Sequence, residues 1–392
     1  MSNAASKRLG DLINLKRGYD LPESQRRSGP YPVISSAGIT GYHDEYMVEG
    51  TSVVTGRYGT LGEMYYVDGK YWPHNTALYV TTFKGNDPKY IYYLLTCLGR
   101  IRTSDKSAVP GVNRNELHEM EIPVVTDKNQ QKKIAAVLSA LDAKIDCNNR
   151  INAEMEAMAK TLYDYWFVQF DFPDVNGKPY KSSGGKMLYN ATLKREIPTG
   201  WRAGLASDLF DFNTSLSLPL GTEASYIDMA ALPVTGFMTE APERKAFAGG
   251  MKFQNGDVVV ARITPCLENG KTALISLLKD NEVGFGSTEF IVIRGKSKTL
   301  SAFAAQLSRS TSFRQFAISN MTGTSGRKRI DANTLETFSL PLPQEEILLK
   351  YEQMVSACFK RMTINAKENQ QLAQLRDWLL PLLMNGQVTI LG

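Results

Sequence analysis

The fold is decided by residues 127–170, which read DKNQQKKIAAVLSALDAKIDCNNRINAEMEAMAKTLYDYWFVQF. Alternating steps of four and three residues pass through a seam of eight apolar residues and two asparagines: Ile134, Leu138, Leu141, Ile145, Asn148, Asn152, Met155, Ala159, Leu162 and Trp166. This spacing predicts a long helix that packs along a narrow line against another long helix. Roughly 36 helical residues would form a rod of about 55 Å.

A second copy of this helix closes the chain. At an offset of 217 residues, Asn365 and Asn369 occupy the positions of Asn148 and Asn152. Polar residues in an apolar seam lower stability but fix the register of the paired helices. If the two helices pair antiparallel, Asn148 should lie near Asn369, and Asn152 near Asn365. The alternative is two unrelated amphipathic helices, each packed on its own core.

The globular parts of the chain also repeat. Residues 198–343 follow the order of residues 5–125, with Gly256–Arg262 matching Gly50–Arg57, and Leu340-Pro341 matching Ile122-Pro123. We name these globular parts the first head (5–125) and the second head (198–343). Spacer helices are predicted over 126–170 and 344–386, with a Gly-, Lys- and Ser-containing linker over 171–197. The predicted fold class is α+β, with two mixed α/β heads and two long helices.

Composition and cysteine spacing narrow the class of protein. The formal net charge is +5 and the pI is about 8.8, which is compatible with a polyanionic partner. The four cysteines are far apart and contain no Cys-x-x-Cys pair, so buried free thiols are expected. The sequence contains no apolar run of the roughly 20 residues that span a bilayer. We therefore expect a cytoplasmic protein.

The sequence gives no support for a catalytic, metal or cofactor site. The three histidines, His43, His74 and His118, lack metal-ligand spacing. Asn269-Gly-Lys-Thr272 resembles the end of a phosphate-binding loop, but Pro265 stands where the first glycine is needed. Dinucleotide and nucleophile-elbow motifs are absent as well. This pattern favours a binding protein over an enzyme.

Several motifs occur in a characteristic order and in duplicate. They are Ile122-Pro, Ile145-Asp-Cys-Asn148-Asn-Arg-Ile-Asn152, Leu162-Tyr-Asp-Tyr-Trp-Phe167, Leu340-Pro-Leu-Pro343 and Leu375-Arg-Asp-Trp-Leu-Leu-Pro-Leu-Leu383. Together they resemble the specificity subunits of type I restriction–modification systems. The resemblance implies that each head is a target-recognition domain reading one half of a bipartite DNA site. It also implies an antiparallel coiled coil with a pseudo-two-fold axis that sets the gap between the half-sites.

The resemblance further implies partners that carry the chemistry. Methyltransferase subunits, which bind S-adenosylmethionine, would dock on the helices, and a motor-nuclease subunit would join for restriction. The chain itself would hold no cofactor and catalyse no step. Two other functions stay open: the recognition module of a type II-like restriction–modification enzyme, and a coiled-coil adaptor that does not bind DNA.

Candidate DNA contacts are the polar and basic residues around strand ends and glycine-bearing loops. An arginine at a strand end beside glycine can approach a guanine edge and donate two hydrogen bonds. In the first head the candidates are Arg57, Tyr58, Thr60, His74, Asn75 and Lys106, and in the second head they are Arg262, Thr264, Ser287, Arg327, Lys328 and Arg329. The asparagines Asn148, Asn152, Asn365 and Asn369 are assigned to helix register.

Overall fold

The computed structural model describes residues 4–56, 63–103, 114–297, 300–324 and 326–390, with the backbone alone described for 99–103. The chain divides into two compact units. Unit 1 comprises residues 1–145 and 371–392, and unit 2 comprises residues 146–370. Each unit thus contains one whole head and a part of each long helix, and the units are described separately below.

Within the described part of unit 1, ten strands form three sheets, and three α-helices precede the first long helix. The strands are β1 (Ala4–Arg8), β2 (Asn14–Arg17), β3 (Tyr31–Ser35), β4 (Gly38–His43), β5 (Val48–Glu49), β6 (Ser52–Gly56), β7 (Met64–Val67), β8 (Lys70–Pro73), β9 (Ala77–Thr82) and β10 (Glu121–Val125). The helices are α1 (Leu9–Leu12), α2 (Pro88–Thr103) and α3 (Arg114–Glu119), followed by the long helix α4 (Lys128–Tyr163).

The two larger sheets of unit 1 are four-stranded, with strand orders β2-β9-β6-β7 and β4-β3-β8-β5. β3 and β8 are parallel, and the other pairs in these sheets are antiparallel. β1 and β10 form a separate antiparallel pair. All five residues of the central strand β6, whose sequence is SVVTG, are buried, with Val53 and Val54 packed in different hydrophobic clusters.

The described residues of unit 2 form twelve strands and four short α-helices besides the unit's parts of the long helices. The strands are β11 (Met187–Asn190), β12 (Arg195–Pro198), β13 (Arg202–Leu205), β14 (Phe210–Phe212), β15 (Glu223–Ile227), β16 (Glu243–Ala246), β17 (Met251–Phe253), β18 (Val258–Ala261), β19 (Thr272–Leu274), β20 (Gly284–Gly286), β21 (Phe290–Gly295) and β22 (Ser339–Leu342). The helices are α5 (Ala206–Leu209), α6 (Ser301–Arg309), α7 (Thr311–Ser319) and α8 (Ala332–Glu336), and the second long helix is α9 (Glu345–Met384).

The two heads share one sheet topology. The orders β14-β21-β18-β19 and β16-β15-β20-β17 in unit 2 repeat β2-β9-β6-β7 and β4-β3-β8-β5 in unit 1. The single parallel pair recurs as β15 with β20, and the β1 and β10 pair recurs as β13 with β22. The mixed α/β class predicted from the sequence is confirmed, and the repeat of the heads extends to strand order.

The two long helices run close to their predicted bounds. α4 begins at Lys128, and its α-helical geometry ends at Tyr163, after which residues 164–168 form a single π-helical segment. The seam spacing in the sequence predicts an ordinary α-helix over this segment. The π-helical segment places Trp166 and Phe167 in the core of unit 2. Among the described residues, no helix combines the length and the apolar character that membrane crossing needs.

Amide side chains link α4 and α9 within unit 2. Asn148 Nδ2 donates to Asn369 Oδ1 at 2.9 Å, and Asn365 Nδ2 donates to Asn152 Oδ1 at 2.9 Å. The sequence predicts these two pairs. The higher-numbered asparagine of α4 pairs with the lower-numbered asparagine of α9. The two segments therefore run in opposite directions in unit 2. Asn148 and Asn365 are fully buried, so their amides depend on these partners.

The paired amides predict opposite effects of single and double substitution. Asn152→Leu should lower the free energy of unfolding by about 1–3 kcal/mol, because it leaves the buried Asn365 amide without its partner. Adding Asn365→Leu should recover most of that loss, since two apolar residues then face each other in the seam. Denaturant unfolding of the two variants measures both steps. A double variant less stable than the single one would contradict this account.

The predicted linker over 171–197 is more ordered than its composition indicates. It contains the β11–β12 hairpin, and Phe172 and Ile197 belong to the core of unit 2. Phe172 stacks on Trp201 with ring centroids 5.2 Å apart. Phe172 near one end of the segment and Ile197 at the other therefore fix it to the core of unit 2. None of the four cysteines, all of which are described, forms a disulfide, as expected, but they are half-buried rather than buried.

Candidate nucleic-acid interface

Three segments of the second head meet at one edge, and each follows or precedes a regular element. The backbone N–H of Arg262, just after β18, donates to Glu289 O at 2.9 Å, just before β21. Ile330 N donates to Arg262 O at 3.0 Å, and Thr264 N donates to Lys328 O at 3.0 Å. These bonds join residues 262–264, 287–289 and 327–331 into one surface.

All six candidates predicted in the second head lie on these three segments. Arg327 and Lys328 are exposed, whereas Arg262, Thr264, Ser287 and Arg329 are half-buried. We name this surface the second-head patch, comprising Arg262, Thr264, Ser287, Glu289, Arg327, Lys328, Arg329 and Asp331. The structure thus brings together side chains that are up to 69 positions apart in the sequence. Whether they contact DNA stays a prediction.

Arg329 and Glu289 form a side-on ion pair in the patch. Arg329 Nε lies 3.0 Å from Oε1 and 2.9 Å from Oε2 of Glu289, and Arg329 Nη2 lies 2.7 Å from Oε1. The hydrogen bonds from Arg329 lower the pKa of Glu289 below its ordinary value, against the opposing effect of burial. Glu289 is therefore ionised at neutral pH, and its charge holds the guanidinium in place.

A second acid, Asp331, accepts a hydrogen bond from Arg262 Nη2. Arg262 Nε is buried and has no hydrogen-bond partner among the described residues. The patch contains four cations and two anions, so its net charge is +2. A surplus of positive charge suits phosphate contacts. Sequence reasoning missed both acids, because nothing local in the sequence indicates that Glu289 meets Arg329, which is 40 positions away.

In the first head, His74 and Asn75 lie between β8 and β9. His74 Nδ1 is 3.0 Å from Thr76 Oγ1, and burial lowers the pKa of His74 below its ordinary value, so the imidazole is neutral at pH 7. The Asn75 amide donates to the Asp20 carboxylate. Arg17 Nε donates to Asn75 O at 3.3 Å. Arg17 was not among the predicted contacts. This hydrogen bond places it on the same edge as His74 and Asn75.

Four predicted contacts of the first head, Arg57, Tyr58, Thr60 and Lys106, lie outside the described residues. The described strand β6 ends at Gly56, directly before Arg57 in the sequence. Gly56, the last residue of β6, pairs with Ala77, two positions after Asn75. The second head has the same arrangement, because Ala261 at the end of β18 pairs with Phe290 of β21.

A cavity of about 950 Å³ in unit 2 lies apart from the patch. Its walls come from the end of α4, from α6 and from the 235–237 loop. Arg309 on this wall donates to the backbone carbonyls of Pro233, Val234, Gly236 and Thr272. Desolvation lowers the pKa of Arg309 to about 10. Because its donors serve the protein backbone, Arg309 stabilises the loop.

Comparison with known proteins gives matches to specificity subunits of type I restriction enzymes. A family model described as "Type I restriction modification DNA specificity domain" matches residues 1–157. The type I restriction enzyme EcoAI specificity subunit of Escherichia coli is 30% identical over 204 residues, which cover 49% of this chain and 34% of that protein. The MjaIX specificity subunit of Methanocaldococcus jannaschii is 22% identical over 341 residues, covering 77% of this chain and 69% of that protein.

The fold agrees with these sequence matches. The crystal structure of the S subunit of a type I restriction–modification system from M. genitalium superposes with a TM-score of 0.62 at 15% identity, covering 98% of this chain and 96% of that chain. The HindI specificity subunit of Haemophilus influenzae is 20% identical over 375 residues, covering 77% of each chain. Residues 1–157 thus match a type I restriction modification DNA specificity domain, and the chain is similar over most of its length to type I specificity subunits.

Proposed function

We propose that this protein selects the DNA target of a type I restriction–modification complex, with each head reading one half of a bipartite site. The observation that carries the proposal is the repeated sheet topology, with polar and basic side chains at one strand-end edge of each head. Lysine and arginine would bind phosphates, and the more sheltered side chains would contact base edges.

The two heads share a framework but differ in the residues at that edge. Asn75 lies two residues before β9 in the first head, and Ser287 lies three residues before β21 in the second head. The Asn amide can donate one hydrogen bond to adenine and accept another from it, whereas the Ser hydroxyl can donate to or accept from several bases. Two different half-sites are therefore expected. The predicted boundaries at 5–125 and 198–343 define the two readers in this proposal.

The long helices would act as a ruler. Antiparallel pairing of α4 and α9 as a coiled coil, with a pseudo-two-fold relation between the repeats, would hold the heads at a fixed separation. The amide pairs Asn148 with Asn369 and Asn152 with Asn365 support this role, since buried polar pairs penalise shifted registers.

The helices would also dock the methyltransferase subunits, which supply S-adenosylmethionine and the methyl-transfer chemistry, while a motor-nuclease subunit would supply cleavage. In unit 1, Trp378 on α9 is 64% exposed, beside the exposed Leu375. An exposed tryptophan on a long helix supports a protein contact, because tryptophan is enriched where partners bind most strongly. This chain would contribute recognition and no catalytic group.

Selection of bound sequences from random duplex DNA tests the proposal. The complex of this chain with its methyltransferase subunits should enrich two defined half-sites separated by an undefined gap of fixed length. If about six phosphates are contacted, affinity should fall roughly 1,000-fold between 50 and 200 mM salt. Absent or salt-insensitive binding would favour a protein adaptor, and a single continuous site would contradict the bipartite reading.

A further inference from the structure

We propose that Arg329 reads a guanine in the second half-site and that Glu289 is the positioning residue that fixes its guanidinium. This inference rests on the proposed function, since it assigns a base and a geometry to one side chain of the second-head patch. It also assigns a role to Glu289, which was not predicted from the sequence.

The ion pair occupies one edge of the guanidinium and leaves another open. Glu289 accepts from Nε and Nη2 of Arg329, which uses the Nε–H and one Nη2–H. The second Nη2–H and both Nη1–H groups lie on the remaining edges. Nη1 makes one long contact of 3.5 Å, to Arg327 O. The Nη1 and Nη2 edge can therefore meet a pair of acceptors on a base.

The exposure of the two side chains agrees with an outward-facing arginine. The Arg329 side chain is 42% exposed and the Glu289 side chain is 26% exposed. Glu289 N donates to Ser287 Oγ at 3.1 Å, and Arg329 exchanges two backbone hydrogen bonds of 2.8 Å with Thr322. Both residues are thus anchored through their backbones. A guanidinium held in this way loses less conformational entropy when it binds a base.

Guanine is the base that matches the open edge. Its O6 and N7 atoms are adjacent acceptors in the major groove, whereas adenine and cytosine present an amino donor there, and thymine presents a single acceptor beside a methyl group. A bidentate arginine contact discriminates against the wrong base by roughly 5- to 150-fold. The Glu289 carboxylate repels a negatively charged phosphate that approaches the open edge of Arg329. A neutral base edge is repelled less, so contact with a base is favoured over contact with the DNA backbone.

Stability alone does not account for the pair. An exposed salt bridge contributes little to folding, because solvent screens it and two side chains must be ordered. Unit 2 contains a matched pair elsewhere, Arg244 with Glu282, with side-chain exposures of 43% and 13%. Arg244 lies on β16, in the other sheet of the second head. It provides a control in which an arginine of equal exposure is removed away from the patch.

The test is selection of bound sequences with five forms of the complex: wild type, Arg329→Ala, Glu289→Gln, Glu289→Asp and Arg244→Ala. Arg329→Ala should reduce the preference for guanine at one position of one half-site by roughly 5- to 150-fold, with the other positions unchanged. Glu289→Gln should weaken the same preference partially, and Glu289→Asp should restore part of it. Arg244→Ala should leave every position as in wild type, and thermal unfolding should show that all variants fold.

The possible failures separate two questions. If wild type enriches a defined site and Arg329→Ala leaves it unchanged, the assignment of Arg329 is wrong while the proposed function stands. If Arg329→Ala weakens binding to all sequences equally and reduces the salt slope by about one, Arg329 contacts a phosphate and guanine reading is overturned. If wild type enriches no sequence, the proposed function fails, and this inference fails with it.

Discussion

Replacing Arg294 by methionine is expected to lower the free energy of unfolding of unit 2 by about 3–5 kcal/mol. Arg294 Nε lies 2.7 Å from Asp257 Oδ1, and Arg294 Nη2 lies 2.6 Å from Oδ2. The Asp257 side chain is 2% exposed and that of Arg294 is 18% exposed. The pair is therefore a buried, bidentate ion pair.

The large effect comes from the charge that remains. Asp257 also accepts Gln254 N–H at 2.8 Å, but that single bond does not replace the solvation the carboxylate lost on burial. The hydrogen bonds that Arg294 donates to Asp257 raise the pKa of Arg294 above its ordinary value, so the arginine is charged in the wild-type protein. Substituting Asp257→Asn together with Arg294→Met should recover part of the loss, because no buried charge is then left unpaired.

The matched control is Arg244→Met, which removes the more exposed partner of Glu282. We expect it to cost less than about 1 kcal/mol. Denaturant unfolding followed by tryptophan fluorescence reports on unit 2 through Trp166 and Trp201, which lie in its core. Equal losses from Arg294→Met and Arg244→Met would show that burial does not set the energetics of this pair.

The long helices were predictable because their signal is local and repeated. Ten seam positions follow one period, and each of them, from Ile134 to Trp166, is buried or half-buried in the structure. The duplicated asparagines added a long-range prediction that the hydrogen bonds match. The π-helical segment at 164–168 carried no such signal, because one inserted residue per turn does not change the apolar composition of the segment.

The candidate site was predictable in part, for a related reason. Strand ends beside glycine indicated where functional side chains would stand, and all six candidates of the second head fall on one patch. The partners Glu289 and Asp331 were not predictable, since each ion pair depends on strand pairing between distant segments. The same limit applies to residues 171–197. Their Gly, Lys and Ser content did not indicate the β11–β12 hairpin or the stacking of Phe172 on Trp201.

Inserting one heptad in both long helices is expected to lengthen the gap between the half-sites while both half-sites keep their sequences. The insertions belong between 145 and 146 in α4 and between 370 and 371 in α9, where the two units divide along the chain. Seven residues add about 10.5 Å to each helix. At about 3.4 Å per base pair, the gap should grow by up to about 3 base pairs.

The same geometry predicts weaker binding by the lengthened protein. Three additional base pairs rotate the second half-site by about 100° around the DNA axis, because one turn contains about 10.5 base pairs. A heptad rotates the helix face by only about 20°. Protein and DNA must therefore twist to bring the second head onto its groove. We expect methylation at the longer site with reduced efficiency.

Methylome sequencing in a host without other methyltransferases measures both the half-sites and the gap. The control inserts the heptad in α4 alone. This change leaves the four asparagines of unit 2 in register with one another. It shifts the unit 1 part of α4, with Ile134 and Leu138, by seven residues relative to α9, so the helix contacts of both units cannot form together, and folding or methylation should be lost. Altered half-sites with an unchanged gap would contradict the ruler, because the heads would then carry the spacing. A longer gap in the double insertion and a defective single insertion would together assign spacing to the helices and sequence choice to the heads.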